Sequence, residues 1–277
     1  MPSRFSEFAH RFHDDLHEME HVLHLSIRGL LQATALPQVV DVLAEYDATR
    51  GSTRSPAELE REREEAKAEA AFAAKERERG FPVLYGHAAV ALWAALETVF
   101  EDAVVATLQD FPELLREKPL AKITIPLGEY EVMTPEERLR YLVRQISRNT
   151  NADLKRGAGR FEAVLECVGM GGKTDAATRR DLLELSYVRN LLVHRRGIVD
   201  HQFVSGCPWL NSTLGERFLV TEAHYKRYSK AVGDYFVELL KRDLARHGLS
   251  TEGFPSKSSN EGPHESAASP ADEERVT

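Results

Sequence analysis

Residues 88–108 read AAVALWAALETVFEDAVVATL and form the most apolar stretch of this 277-residue chain. Apolar side chains recur there at helical spacing, at Leu92, Trp93, Leu96, Val99, Phe100, Ala103 and Val104. This spacing is typical of an α-helix with one broad apolar face. We therefore predict a helix over about 83–116 that lies at the centre of a helical bundle.

On the N-terminal side of this stretch the sequence predicts three more helices. The first carries an apolar stripe, formed by Phe5, Phe8, Phe12, Leu16, Met19, Leu23, Ile27 and Leu30. Pro37 kinks or ends this helix, and a second helix covers about 38–48. Ser55-Pro56-Ala57-Glu58 combines an N-cap, a first-turn proline and a capping-box glutamate, which predicts a third helix over about 56–79. That helix is almost entirely Glu, Arg, Lys and Ala, so we expect it to protrude into solvent as a lever, a partner-docking arm or a connector.

On the C-terminal side the predicted elements are again helical. Residues 117–133 are irregular, with at most a small hairpin between 123–125 and 130–132. Helices follow over about 135–149, 158–168, 175–196 and 222–247, and a loop of about 20 residues containing Trp209 precedes the last of them. The fold class is therefore all-α. Its domains are an N-terminal helical extension (1–80), a helical domain (81–248) and a tail (249–277) whose composition predicts disorder.

Composition excludes several classes of protein. Every apolar run is broken before it reaches membrane-spanning length and no signal-peptide pattern opens the chain, so we expect a cytoplasmic protein without a membrane partner. Cys167 and Cys207 cannot build a disulfide framework, and no Cys/His spacing resembles a zinc site. The segment 169–174 lacks the strand and the glycine spacing of a P-loop, so no nucleoside triphosphate is expected. We predict no metal and no cofactor.

Charge is distributed unevenly along the chain. The net charge is −8, but residues 138–196 contain thirteen Lys and Arg against six Asp and Glu, an excess of +7 that leaves −15 on the remainder. Widening the window to 134–200 reduces the excess to +4. A basic segment is what a polyanion requires for docking, although solvated helix faces give the same pattern.

The basic segment contains the hexapeptide RNLLVH at 189–194. On a helix, where each residue turns about 100°, Asn190 and His194 share a face, whereas Arg189 lies about 140° from His194. An imidazole that titrates near neutrality can act as a general base or acid toward a ribose phosphodiester. Arg189 would then bind the phosphate, and Asn190 would hydrogen-bond a phosphate oxygen or orient the ring.

Arg189 falls within the apolar arc of its helix, where an unpaired guanidinium would be costly. Two partners would compensate it: Glu97 of the central helix, or a second subunit that covers this face. The sequence leaves both possibilities open.

The segment LSYVRNLLVHRRGIVD at 185–200 resembles the signature of the HEPN superfamily, in which an Arg and a polar residue precede a His near the end of a core helix. The segments ALWAALETVFED (91–102) and GRFEAVLE (159–166) are similar to those of HEPN relatives found beside toxin and defence genes. The resemblance covers about 83–247. It does not extend to the first helix, to 56–79 or to the Trp209 loop.

The resemblance implies an all-α bundle that dimerises so that two motifs line one cleft. It also implies a metal-independent endoribonuclease that leaves a 2′,3′-cyclic phosphate, often in a toxin–antitoxin or phage-defence setting with an antitoxin protein as a possible partner. The residues carried over are catalytic Arg189, Asn190 and His194, supporting Glu97 and Glu101, and RNA-binding Arg160, Arg195 and Arg196. Many members are instead non-catalytic modules that bind RNA or protein, and a purely structural helical oligomer is a third interpretation.

Five histidines form a second stripe on the first helix, namely His10, His13, His17, His21 and His24. Paired imidazoles at spacings of four can bind zinc or nickel. A solvated polar face or a subunit contact explains the same pattern with fewer assumptions.

Overall fold

The computed structural model describes residues 3–51, 54–150, 152 and 155–252. Within these residues the chain forms α-helices, short 3₁₀ turns and one isolated β-bridge, and no β-strand. The helices are α1 (Phe5–Ala33), α2 (Leu36–Thr49), α3 (Pro56–Arg79), α4 (Pro82–Asp110), α5 (Leu127–Glu131), α6 (Pro135–Asn149), α7 (Ala158–Leu165), α8 (Ala176–Arg195), α9 (His201–Gly206) and α10 (Glu222–Arg246). The predicted all-α class is confirmed.

Helix α4 occupies the centre of the bundle, as its apolar sequence predicts. It packs against α1, α3, α6, α8 and α10. Leu92, Leu96 and Ala103 are fully buried on it. The helix ends at Asp110 rather than near 116, because the proline at 112 disfavours helical backbone at the residue before it.

An aromatic cluster joins α4 to its neighbours. The ring of Phe161 on α7 lies 5.4 Å from that of Trp93 and 4.7 Å from that of Phe100, both on α4. It also lies 6.0 Å from the ring of Tyr235 on α10. Such contacts fix α7 and α10 against α4, since each aromatic side chain buries a large apolar area.

Helix α1 belongs to the same hydrophobic core. Phe5, Phe12 and Leu23 are buried in the cluster that contains the α4 side chains. Phe12 lies 4.6 Å from the ring of Phe236 on α10. The apolar stripe predicted for this helix therefore packs along α4 and α10. The helix ends before Pro37, which lies in the first turn of α2.

The prediction of a solvent-washed helix at 56–79 is wrong for one face of α3. This helix packs against α1 and α2, and Ala66, Ala73 and Glu76 are buried on it. Alanine's small side chain allows neighbouring helices to approach closely, so a helix with few large apolar residues can still bury a face. The predicted capping box at Ser55 and Glu58 is confirmed.

The hairpin predicted between 123–125 and 130–132 is wrong. The region forms 3₁₀ turns at Pro112–Arg116 and Leu120–Lys122, followed by the short helix α5. Pro119 and Pro126 lack the N–H group that a strand ladder requires, which disfavours pairing here. The chain then enters α6 at Pro135, where Thr134 and Glu137 form the second predicted capping box.

Of the tail predicted to be disordered, 249–277, only 249–252 belong to the described residues, and these four lie outside any helix. The remainder of that prediction falls outside the described part of the chain. None of the described helices combines the length and the apolar character needed to cross a membrane.

Candidate functional site

The helix predicted over about 175–196, which carries the hexapeptide, is confirmed as α8. Asp175 caps its N-terminus by accepting a hydrogen bond from the backbone N–H of Thr178, at 3.0 Å. At the other end the chain turns at Arg196 and Gly197, both with positive φ, and the Gly197 N–H bonds back to the carbonyl of Leu191. The helix therefore stops directly after His194 and Arg195 and leaves both side chains exposed.

Two neighbouring cavities border the three predicted catalytic residues of the hexapeptide, Arg189, Asn190 and His194. The larger, which we name the motif cleft, has a volume of about 370 Å³ and is lined by Arg156, Tyr187, Asn190, Leu191, His194, Arg195, Asp200, Gln202 and Phe203. The smaller, which we name the guanidinium pocket, has a volume of about 30 Å³ and is lined by Trp93, Lys155, Arg156, Gly157, Arg160, Ser186, Arg189 and Asn190. Asn190 borders both cavities, as does Arg156. This arrangement agrees with the predicted angles, because Asn190 shares a face with His194 while Arg189 lies further round the helix.

Arg189 is half-buried and its guanidinium contacts its own neighbour. Its Nη1 donates to Asn190 Oδ1 at 3.2 Å. Among the described residues no carboxylate forms an ion pair with Arg189, so Glu97, one of the two partners that the sequence left open, does not pair with it. Glu97 instead binds Arg160, with 2.5 Å between Oε1 and Nη1. The carboxylate of Glu97 therefore pairs with a residue of α7 and not with Arg189 of α8.

Three cations line the guanidinium pocket, two from the segment before α7 and one from the first turn of α7. Lys155 and Arg156 precede Gly157, and Arg160 follows in the first turn of α7. Gly157 has φ +57°, and a Cβ atom there would lie 2.7 Å from Leu183 Cα of α8. Only glycine allows this close approach of the two backbones. The glycine thereby holds the cations of this segment beside Arg189.

The far wall of the motif cleft comes from residues predicted to form a long loop. That loop contains α9, which Asp200 caps by accepting from the Phe203 N–H at 2.9 Å, and a 3₁₀ turn at Pro208–Leu210. A Cβ atom on Gly206 would lie 2.2 Å from the ring of Tyr187, so α9 packs directly on that ring. The predicted loop of about 20 residues therefore contains a short helix and a 3₁₀ turn, and Gly206 allows α9 to pack against α8.

The predicted RNA-binding arginines are divided between three surfaces. Arg195 lines the motif cleft, where its Nε lies 3.4 Å from Asp200 Oδ2. Arg160 lines the guanidinium pocket, and Arg196 borders a separate apolar groove.

The supporting glutamate Glu101 lines neither the motif cleft nor the guanidinium pocket. It lies 3.8 Å from Arg140 of α6. Burial raises the pKa of Glu101, against the lowering effect of that arginine. Glu101 is thus positioned to contact α6.

The buried carboxylate of Glu184 connects α8 to the elements that surround the site. Glu184 is fully buried on α8 and accepts hydrogen bonds from the Trp209 indole at 2.6 Å, from Tyr228 at 2.7 Å and from Arg227 at 2.5 Å. Burial alone would raise the pKa of Glu184, but these three donors outweigh it and the pKa is lowered. This network ties α10 and the turn after α9 to the N-terminal half of α8.

Sequence reasoning missed Tyr187 and Arg156. The guanidinium of Arg156 lies 5.9 Å from the Tyr187 ring centroid, and both side chains line the motif cleft. Tyr187 precedes Asn190 by three and His194 by seven positions, so helical spacing alone would have placed it on their face. Arg156 lies outside any helix, and no periodicity could have indicated it.

The histidine stripe of α1 is exposed at all five positions. Among the residues that the structure describes, no group of three His, Cys, Asp or Glu side chains is placed to hold a metal ion.

Comparison of the chain with protein-family models, with curated proteins and with solved structures gave no match.

Proposed function

We propose that this protein is a metal-independent endoribonuclease of HEPN type that acts as a dimer, with the motif cleft and the guanidinium pocket as its RNA site. One observation carries the proposal. Asn190 borders both cavities, so that Arg189 on one side and His194 on the other flank a continuous surface supplied with Lys155 and Arg156. A phosphodiester on this surface would meet cations and an imidazole at once.

Arg189 and Asn190 act as the phosphate clamp in this proposal. The Asn190 carbonyl accepts from Arg189, which leaves the amide N–H groups of Asn190 available to donate to a phosphate oxygen. With no carboxylate partner among the described residues, the remaining N–H groups of Arg189 are available to the same phosphate. Both groups stabilise the negative charge that develops during 2′-hydroxyl attack.

His194 is the group that transfers protons. Its exposed ring at the end of α8 has access to a ribose 2′-hydroxyl or to the leaving 5′-oxygen. Transesterification needs a base and an acid, and His194 is the one imidazole among the residues that line the motif cleft. A second copy of the chain, facing the first across the cleft, would supply the other imidazole. This requirement supports the dimer.

A non-catalytic RNA-binding module is the second candidate, and the environment of His194 favours it. Within the described part of the chain no hydrogen bond orients the His194 ring, whereas acid–base catalysis benefits from a fixed tautomer. The cations of the cleft are sufficient to bind RNA without that ring.

Incubation of 5′-labelled single-stranded RNA with the protein in excess EDTA separates these possibilities. The nuclease predicts fragments that end in a 2′,3′-cyclic phosphate and that disappear with His194→Ala. His201→Ala is the matched control, since it removes another exposed histidine near the cleft. RNA binding without cleavage supports the module, and neither binding nor cleavage supports a structural oligomer.

The dimer is tested by the mass of the protein in solution. We expect twice the mass of one chain, 31.2 kDa. A strict monomer at the concentration of the cleavage assay would contradict the shared cleft. A defence role, with an antitoxin protein as inhibitor, follows from the same proposal and would be supported by a neighbouring gene for a small antitoxin-like protein.

A further inference from the structure

A third cavity, which we name the apolar groove, lies on the opposite side of α8 from the motif cleft. Its volume is about 520 Å³, the largest of the three. Its floor is a face of α4 formed by Val83, Val90, Ala91 and Ala94, and its walls are Leu192 and Val193 of α8 and the segment 217–220. Small-molecule sites are cavities of about 300–1,000 Å³ with mostly apolar walls and a few polar groups.

Two apolar side chains of the groove are exposed, one on its floor and one in its wall. Val83 and Val193 are 47% and 49% exposed, although both belong to helices whose other faces form the core. The groove is open because Gly86, Ala91 and Ala94 of α4 have little or no side chain to fill it. A Cβ atom on Gly86 would already be in van der Waals contact with Leu192.

The polar groups around the groove are all basic. They are Arg79, His87, Arg196 and Arg217, and no Asp or Glu lines the groove. Arg79 is partly neutralised, since its Nη1 lies 3.1 Å from Glu76. Arg217 donates from Nε and Nη2 to the backbone carbonyl of Arg196. Neither Arg196 nor Arg217 forms an ion pair with a carboxylate among the described residues.

This charge distribution indicates what kind of ligand the groove would bind. A second copy seated through the same surface would bring two sets of arginines together without carboxylates between them, which is unfavourable. An occupant with an apolar body and one anionic group satisfies both features. The apolar body would lie on α4, and the anion would lie at the Arg196–Arg217 end, where the guanidiniums lack acidic partners.

We propose that the apolar groove binds an amphiphilic anion, a molecule with an apolar chain or ring system and a single carboxylate or comparable anionic head. Its binding is independent of the proposed nuclease activity, because the groove shares α8 with the motif cleft but not its lining residues. Such a ligand would lie one residue from His194 along α8, on Val193.

Dodecanoate, below its micelle-forming concentration, is the probe, and isothermal titration calorimetry on the full chain is the measurement. We expect one site per chain. Dodecyltrimethylammonium, with the same chain and the opposite charge, should bind at least about tenfold more weakly. Arg217→Gln should weaken dodecanoate binding at least about fivefold, while Arg148→Gln, the same charge change at an exposed site on α6, should leave it unchanged.

A second pair of variants tests the location. Ala91→Phe places a ring on the groove floor and should abolish binding, while Ala68→Phe on the exposed surface of α3 should not. The proposal is overturned if the cationic amphiphile binds equally well, if Arg148→Gln matches Arg217→Gln, or if Ala91→Phe has no effect. It is also overturned if the protein is a dimer that Ala91→Phe converts to a monomer, because a second copy then fills the groove.

Discussion

The two halves of α8 differ in whether their charged side chains are buried and paired. In the N-terminal half, Glu184 is fully buried and three donors satisfy it, so the charge contributes to packing. In the C-terminal half, Arg189 has no acidic partner among the described residues and His194 projects into solvent. A buried charge must be paired for the protein to be stable, whereas binding an anion requires cations that remain available. This difference supports the proposal that the N-terminal half of α8 is a structural element and that its C-terminal half binds an anion.

Removing Arg189 should have the largest effect on function and little effect on stability. We expect Arg189→Ala to lower the rate of RNA cleavage by about 10²–10³, because a donor to the developing phosphate charge is lost. The free energy of unfolding should change by less than about 0.5 kcal/mol, because no buried carboxylate depends on this guanidinium. Single-turnover cleavage in EDTA and urea unfolding measure the two quantities. A destabilisation of several kcal/mol with the cleavage rate unchanged would reverse the assignment of this half of the helix.

Changing Glu184 should have the opposite outcome. Glu184→Gln removes the charge that Arg227 meets inside the bundle, and we expect the free energy of unfolding to fall by about 3 kcal/mol. The folded fraction should still cleave RNA at a rate within about threefold of wild type, because Glu184 lines neither cavity. Trp209→Phe, which removes only one donor to Glu184, should cost about 1 kcal/mol and provides the graded control. Equal stability of Glu184→Gln and wild type would show that the network contributes nothing.

At acidic pH the protein should lose the stabilisation that depends on ionised Glu184. Its pKa in the folded protein is lowered from the ordinary value of 4.5, so its stabilisation is present above pH 4.5 and is lost as the pH falls through the lower folded pKa. The difference in unfolding free energy between wild type and Glu184→Gln should therefore shrink as the pH falls below 4.5. Urea unfolding at a series of pH values checks this. A difference that stays constant down to pH 3 would contradict the lowered pKa.

Arg156 should have the smallest effect, confined to RNA affinity. Its guanidinium borders both cavities and is exposed, so Arg156→Gln should weaken binding only a few-fold. The slope of log affinity against log salt should become less steep by about 0.7, the value for one lost phosphate contact on a single strand. Arg148→Gln should leave the slope unchanged. A slope that is the same for both variants would place the RNA elsewhere.

The fold was predictable where local chemistry decides it. The apolar spacing at 88–108 predicted the central helix, and the capping residues Ser55 and Thr134 predicted two helix starts. The helix that carries Arg189 and His194 was also predicted with its ends. Each of these follows from side chains that lie within a few positions of one another.

The errors arose where distant residues decide the outcome. The sequence left Glu97 or a second subunit as the partner of Arg189, but Glu97 pairs with Arg160 of α7, a helix that Gly157 brings against α8. The loop of about 20 residues predicted after α8 contains a short helix and a 3₁₀ turn, and its Trp209 reaches a carboxylate that lies 25 positions earlier. Neither contact leaves a periodic signal in the sequence, because both depend on how helices pack.

If RNA occupies the motif cleft at the C-terminal half of α8, the imidazole of His194 should report its binding. The measurement is a long-range ¹H–¹⁵N spectrum of the histidine rings in EDTA, assigned with His194→Gln, during titration with single-stranded RNA whose 2′-hydroxyls are methylated to prevent cleavage. We predict that the His194 signals shift saturably while those of the five α1 histidines stay in place. RNA that binds while the His194 signals do not move would contradict the account.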